Sequence, residues 1–404
     1  MRKLLLAFAF LGICSSVSAQ QENIQTPPAE PPKAVKKPWY ESFNIRGYAQ
    51  VRYNGLFETN PRLGCEQCDK SWGDGGSFFI RRIRIIFSGQ ISERVYFYIQ
   101  PDFASAPSSN ALNFAQIRDA YLDVGLDKKN EFRFRIGQSK VPFGFENLQS
   151  SQNRIPLDRA DPTNSAVANE RDLGVFFYWA PTEKRKLLSA LVRDGLKGSG
   201  DYGIFGLGIY NGQTANRPDE NGEPHVVARL TYPFAIGNQI IEPSIQGYTG
   251  KYVITSASAG TELQTDREYI DRRVAATFVL YPKPFGIQAE YNIGEGPEFN
   301  TFTDAIEVQE LHGGYTTLSY MKQVGDQIII PFARMQYYKG GKKHELDARS
   351  YRVRDLELGV EWQPFPALEL VAMYTFSSRR FEDFAQQENL QEGSLMRFQA
   401  QLNF

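Results

Sequence analysis

The chain has 404 residues, with 45 Lys and Arg against 46 Asp and Glu, three Cys, and an aromatic complement of 4 Trp, 21 Tyr and 29 Phe. This near-neutral balance excludes a polybasic nucleic-acid binder and an acidic disordered chain. No apolar run beyond the amino terminus approaches the roughly 18 residues that a membrane helix needs, so a helical membrane protein is excluded too.

The first element predicted is an export signal. Arg2 and Lys3 form a charged start, Leu4 to Ile13 an apolar core, and Val17-Ser18-Ala19 a small-residue cleavage site, so the mature chain is expected to begin at Gln20. Cys14 is an alternative lipidation site, but the branched Ile13 before it disfavours that reading. Loss of Arg2 and Lys3 moves the formal charge from -1 to -3. Residues 20–41, which include QTPPAEPPKAVKKPW, read as a flexible or polyproline-like periplasmic leader. Export places Cys65 and Cys68 in an oxidising compartment, where their spacing reads as a loop-stapling disulfide; no further ligands stand nearby to make a metal site.

From Ser42 onward the composition never returns to that of a linker, which argues for one domain over 42–404. In NIRGYAQVRYNGLF, one parity carries Ile45, Gly47, Ala49, Val51 and Tyr53, while the other carries Arg46, Tyr48, Gln50, Arg52 and Asn54. Period-two segregation of this kind marks a strand with one wet face. The split recurs in VYFYIQPDF, EFRFRIG and LELGVEW, and sixteen such segments can be marked from Asn44 to Phe404, about 23 residues for each strand and its connection. A soluble sandwich of sixteen strands would need Greek-key jumps, whereas a meander of hairpins closes most simply into a transmembrane barrel with charges on the inner parity. Arg81 breaks that parity relative to Arg82 and Arg84, and should sit near an interface or beside a bulge. The final segment, SLMRFQAQLNF, places Met396, Phe398, Ala400, Leu402 and Phe404 outward and ends in strand on an aromatic, like the signal read by the bacterial outer-membrane assembly machinery.

The runs SFFIRRIRIIFSGQISERVYFYIQPDFA, QIRDAYLDVGL, FRFRIGQSKVPFGFENLQSSQNRIPLDRA and NERDLGVFFYWAP resemble the phosphate-selective porin O and P family. IYNGQTAN, VVARLTYPF, IQAEYNIGEG and RFQAQLNF follow in matching order. The most specific part is GQSKVPFGFE to LDRA, whose Gly, Lys, Pro, Phe and Arg are not dictated by alternation. The resemblance implies a sixteen-stranded outer-membrane porin, usually a homotrimer, whose third loop folds into the pore and whose lumenal arginines and lysines pass anions. It also implies a setting among lipopolysaccharide and delivery by the barrel assembly machinery through Phe404.

Between Gly144 and Arg171 alternation fails over a stretch far longer than a hairpin connection. If it bends inward, Arg154 and Arg159 stand at the narrowest point, where a guanidinium fork suits phosphate or carboxylate. The alternative is an extracellular loop whose arginines pair with Asp158, Asp161 and Glu170. Arg46, Arg52, Arg82, Arg84, Arg133 and Arg135 share the wet parity of their strands and form a basic stripe, with Lys140 at the start of the long loop. Asp102, Asp119 and Asp123 neutralise part of it: from Asn44 to Arg171 there are 17 basic and 14 acidic residues. A lumen of mixed sign with few lysines departs from the anion-selective members, and separates phosphate selectivity from family membership.

No nucleophile elbow, phosphate-binding loop or dinucleotide fingerprint is present, and His225, His312 and His344 are far apart. KHELD has Ala348 where a zinc-protease helix needs its second His, and YKGGKKHE reads as an exposed hairpin loop. The sequence therefore predicts no enzyme, no cofactor, no metal and no nucleic-acid partner. Two function classes remain. One is a passive channel for small ions and solutes, phosphate among them; the other is a non-conducting barrel used for binding or adhesion through its loops.

Overall fold

The structure, a computed structural model, describes residues 38–65, 72, 76–105 and 114–404. The expected signal peptide, nearly all of the leader, and Cys68 lie outside the described residues. The strands are β1 (Asn44–Leu56), β2 (Phe78–Ser92), β3 (Val95–Ser105), β4 (Phe114–Gly125), β5 (Phe132–Lys140), β6 (Arg171–Trp179) and β7 (Phe205–Tyr210). Then come β8 (His225–Thr231, resuming at Phe234–Ile236), β9 (Gln239–Val253), β10 (Glu268–Leu280), β11 (Phe285–Asn300) and β12 (Ala305–Tyr320, resuming at Lys322–Val324). Last are β13 (Gln327–Gly341), β14 (Ser350–Phe365), β15 (Leu368–Glu382) and β16 (Leu390–Asn403). Both interruptions have a backbone cause. Pro233 has no N–H to give β9, and the Met321 N–H turns to the Pro284 carbonyl, 2.7 Å away.

Each strand pairs antiparallel with its sequence neighbours, and β1 pairs with β16 from Tyr48↔Asn403 to Leu56↔Met396, so the sixteen strands form a closed meander without edges. Gly47 and Phe404 exchange both backbone hydrogen bonds, at 2.7 and 3.0 Å. Only glycine serves there, because a Cβ would stand 2.4 Å from the Arg84 carbonyl oxygen and 2.7 Å from the Phe404 ring.

Burial is inverted relative to a soluble core. Ile45, Val274, Ile293, Met335 and Leu402 are exposed, whereas Arg52, Arg273, Arg334, Arg379 and Arg397 are almost fully buried. An apolar exterior around a polar interior is the signature of a barrel in hydrocarbon. Arg81 obeys the same rule: Gln50 pairs with Arg82 and Val51 with Ile80, so Arg81 is the extra residue of a bulge. The bulge turns it inward, to within 3.9 Å of Asp158.

The termini share one end of the barrel. Most connections there are short, such as Ser92 to Val95 and Phe365 to Leu368, while most of those at the other end are longer. Short turns are periplasmic and long loops extracellular in such barrels. One connection at the terminal end is unlike the rest: residues 180–204 between β6 and β7 carry the helix α3 (Thr182–Arg193). The spacing of Leu187, Leu188 and Leu191 gives it an apolar face, with Leu188 and Leu191 buried.

Candidate functional site

The long connection between β5 and β6, residues 141–170, holds two single-turn helices, α1 (Phe145–Leu148) and α2 (Asp161–Asn164), and almost all of its side chains are buried. Its partners are inward-facing residues on the opposite wall. Arg334 on β13 donates to Glu146 at 2.9 Å, Gln336 accepts from the Asp161 N–H at 2.7 Å, and Arg379 on β15 meets Asp161 at 2.9 Å. Asn292 on β11 donates to the Pro162 carbonyl at 3.0 Å, and Arg273 on β10 to the Ser165 hydroxyl at 2.7 Å. Asp158 bridges the seam, receiving Arg52 of β1 at 2.9 Å and Arg397 of β16 at 2.6 Å. Ile155 and Leu157 add an apolar seat on Ile330, Phe332, Val371 and Met373. Burial alone would raise the Asp161 carboxyl, but Arg379 and Lys342 hold it well below the ordinary carboxylate range. Glu170 behaves alike under Arg159, Arg154 and Arg171.

Two expectations need correction. Arg154 and Arg159 belong to the buried loop, yet neither offers a free fork: both bind Glu170, at 3.0 and 3.1 Å, and Arg159 also donates to the Asn147 side chain at 2.6 Å. The run YKGGKKHE is not an exposed hairpin. Tyr338, Lys342, Lys343 and Glu345 are buried, Lys342 on Asp161 and Lys343 on Asp271. The parity argument stopped at the strand end, where Gly340 and Gly341 turn this loop into the lumen.

The remaining stripe residues line the other wall. Arg84 holds Asp102 at 2.8 Å, Arg135 holds Asp123 at 2.7 Å with Tyr121 stacked 3.9 Å below it, and Arg133 holds Asp201 at 2.9 Å. Lys140 donates to the carbonyls of Leu148 and Gln149 and fixes the root of the loop. Arg82 differs from all of these. It is buried, it has no carboxylate within ion-pair distance among the described residues, and its one hydrogen bond there goes to the neutral Gln50 at 2.8 Å; its Nε, like those of Arg133 and Arg154, has no hydrogen-bond partner among them. The charges that act on it most strongly are those of Arg81, Arg154, Arg84 and Arg52. Such a guanidinium keeps donors for a passing anion.

On the terminal side of this point lies a cavity of about 590 Å³, lined among others by Arg46, Tyr98, Tyr121, Arg135, Gln152 and Tyr202. Arg46, the exposed member of the stripe, stands at this cavity. The 180–204 segment packs on the long loop and the wall: Leu188, Leu191 and Leu196 cluster with Phe145 of the long loop, and Lys197 binds Glu361 of β14 at 2.5 Å. Pattern reading of the strands missed this segment, although Pro181, the leucine spacing and Gly195 bracket a helix. Cys65 is disulfide-bonded and packs with Leu63, Trp72 and Leu395. Among the described residues no group of three or more His, Cys, Asp or Glu is placed to hold a metal.

A family model described as phosphate-selective porin O and P matches residues 63–404. Among solved structures, the chain is similar to the outer membrane channel DcaP of Acinetobacter baumannii, at 17% identity and a TM-score of 0.56 over 90% of this chain and 97% of that one. It is similar to Salmonella typhi OmpF in complex with daunomycin, at 11% identity and a TM-score of 0.54 over 90% and 97%. For an anion-selective porin from Comamonas acidovorans the values are 10% and 0.50 over 90% and 99%. No curated protein matches. At these identities the structures speak for the barrel alone, which agrees with the sixteen closed strands. The family match, running from just beyond β1 to the last residue, goes further: the chain belongs to the phosphate-selective porin O and P family and is a passive channel of the bacterial outer membrane.

Proposed function

We propose that the channel passes small solutes and inorganic ions by diffusion, with a modest preference for anions set beside Arg82. The observation that carries this reading is the Arg82 guanidinium, buried beside other arginines and, among the described residues, bonded to the neutral Gln50 and to no carboxylate. A cation in a narrow, low-dielectric passage concentrates counter-ions. The preference is modest because the other stripe arginines at Asp102, Asp123 and Asp158 are already neutralised. A phosphate-specific cage needs several converging free cations, and Arg82 supplies one. Conduction is favoured over a purely adhesive barrel by the cavity of about 590 Å³ inside the wall, lined by charged side chains such as Arg46, Asp123 and Arg135.

The same reading takes the mature chain to begin at Gln20 and to assemble as a homotrimer. Phe404 is presented to the barrel assembly machinery, and Cys65 with Cys68 staples the first extracellular loop. The reversal potential of the refolded mature protein in a planar bilayer under a KCl gradient tests the proposal. Anion preference, with phosphate reducing chloride current only weakly, is expected; cation preference would sink it.

A further inference from the structure

Charge on the lipid face of a barrel is tolerated only near the interfaces. Four basic residues face outward here on three adjacent strands: Lys339 on β13, Arg352 and Arg354 on β14, and Arg380 on β15, all exposed. Lys339 pairs in register with Arg352, and Arg352 with Arg380, so three cations stand side by side in one cross-strand row. His312 of β12 is the register partner of Lys339 and extends the row.

Strands lie about 4.8 Å apart, and like charges directly opposite one another destabilise a sheet. Compensation from the protein is thin. Glu382 lies 3.3 Å from Arg380, and among the described residues no carboxylate is within ion-pair distance of Lys339, Arg352 or Arg354. Nothing in barrel closure or lumen chemistry needs this row.

Its depth suggests what neutralises it. The row sits at the long-loop end of the strands, while toward the termini the outward residues become apolar: Met335, Leu358, Val360, Trp362 and Phe376 are all exposed. That boundary is the headgroup level of the outer leaflet. Just beneath it an open groove of about 600 Å³ is lined by Met335, Tyr337, Arg354, Leu356, Phe376 and Glu392. Cations above and an apolar channel below fit an anionic headgroup that carries acyl chains, and guanidinium forks match phosphate oxygens two at a time.

We infer that the outer face of β13 to β15 is a seat for lipopolysaccharide, with Lys339, Arg352, Arg354 and Arg380 meeting its headgroup phosphates and the groove receiving an acyl chain. The inference rests on the outer-membrane placement and is independent of the ion selectivity proposed above.

The test titrates the full mature protein, refolded in detergent, with purified lipopolysaccharide and with the same glycolipid after phosphate removal. Changing Lys339, Arg352, Arg354 and Arg380 all to Gln is expected to weaken lipopolysaccharide binding about 100-fold or more, since each basic residue at an anionic membrane surface counts for about 5-fold. Arg352→Lys with Arg354→Lys retains most of the binding, and dephosphorylated glycolipid binds the unaltered protein as weakly as intact glycolipid binds the fourfold variant. If the fourfold variant does not fold, Arg354→Gln alone decides the matter, with about 5-fold weaker binding expected. Equal binding by variant and parent, or equal binding of the dephosphorylated glycolipid, would overturn the inference. So would loss of oligomers with unchanged lipopolysaccharide binding, which would make the row a contact between copies.

Discussion

The two sides of the lumen use similar residues for opposite ends. On the wall from β10 to β16, Arg273, Arg334, Arg379 and Arg397 are spent on the long inward loop, each bonded to its carboxylates, hydroxyls or carbonyls. On the wall from β1 to β5, arginines face a cavity of about 590 Å³ and several are balanced by aspartates on neighbouring strands, as Arg84 is by Asp102 and Arg135 by Asp123, whereas among the described residues neither the buried Arg82 nor the exposed Arg46 has a carboxylate partner. The difference teaches that an inward arginine is not by itself a selectivity element. What matters is whether a carboxylate already neutralises it, because a buried paired ion is a structural fixture that is costly to break from one side.

The largest effect that can break this comparison is Asp158→Asn. It leaves Arg52 and Arg397 buried without their shared carboxylate, and is expected to cost about 3 to 5 kcal/mol of loop docking. Limited proteolysis should then cut between residues 141 and 170, and single-channel current should become larger and noisier; an intact loop with unaltered current would contradict the staple. Leu157→Ala removes part of the apolar seat on Ile330 and Phe332 and should cost about 2 to 5 kcal/mol, read by the same protease assay without a change of charge.

Acid gives a graded version. Asp161 and Glu170 are held below the ordinary carboxylate range by their cations. A depressed folded value means that their contribution is complete above the unfolded value near 4 and is lost as pH falls toward the folded one. The contribution of these two carboxylates to loop protection should therefore be flat from pH 8 to about 5 and decline below about 4, while an earlier decline between about pH 6.5 and 5 would report His344, whose burial lowers its value and whose Nε2 accepts the Ala168 N–H of the loop. The smallest effect is expected at Arg193, an exposed partner of Asp194. Arg193→Ala should leave protease resistance and conductance unchanged, as for most surface pairs.

Much of the architecture is legible in the residues, for a definite reason. Hydrocarbon outside and water inside impose a two-residue period on every spanning strand, and that period carries the sixteen strands, the inward parity of Arg52, Arg82 and Arg84, and the anomaly at Arg81 that a bulge resolves. Where the chain leaves the wall, the period says nothing. The 141–170 loop is recognisable by its failed alternation, but the pairing of Arg154 and Arg159 with Glu170 depends on tertiary placement. The helix α3 and the inward turn of Lys342 and Lys343 were hidden for the same cause, though IIIPF at 328–332 and LVAM at 370–373 carried a local signal. Both runs put apolar residues on the inner parity, and both turn out to seat Ile155 and Leu157.

The central claim, that an inward arginine without a carboxylate partner, and not inward arginines in general, sets selectivity, is tested most directly by comparing reversal potentials of Arg82→Gln and Arg159→Gln under one KCl gradient. The account predicts that Arg82→Gln lowers the anion-to-cation permeability ratio about 2- to 3-fold with conductance retained, while Arg159→Gln leaves the ratio near that of the parent. Loss of anion preference in Arg159→Gln, with Arg82→Gln unchanged, would contradict it.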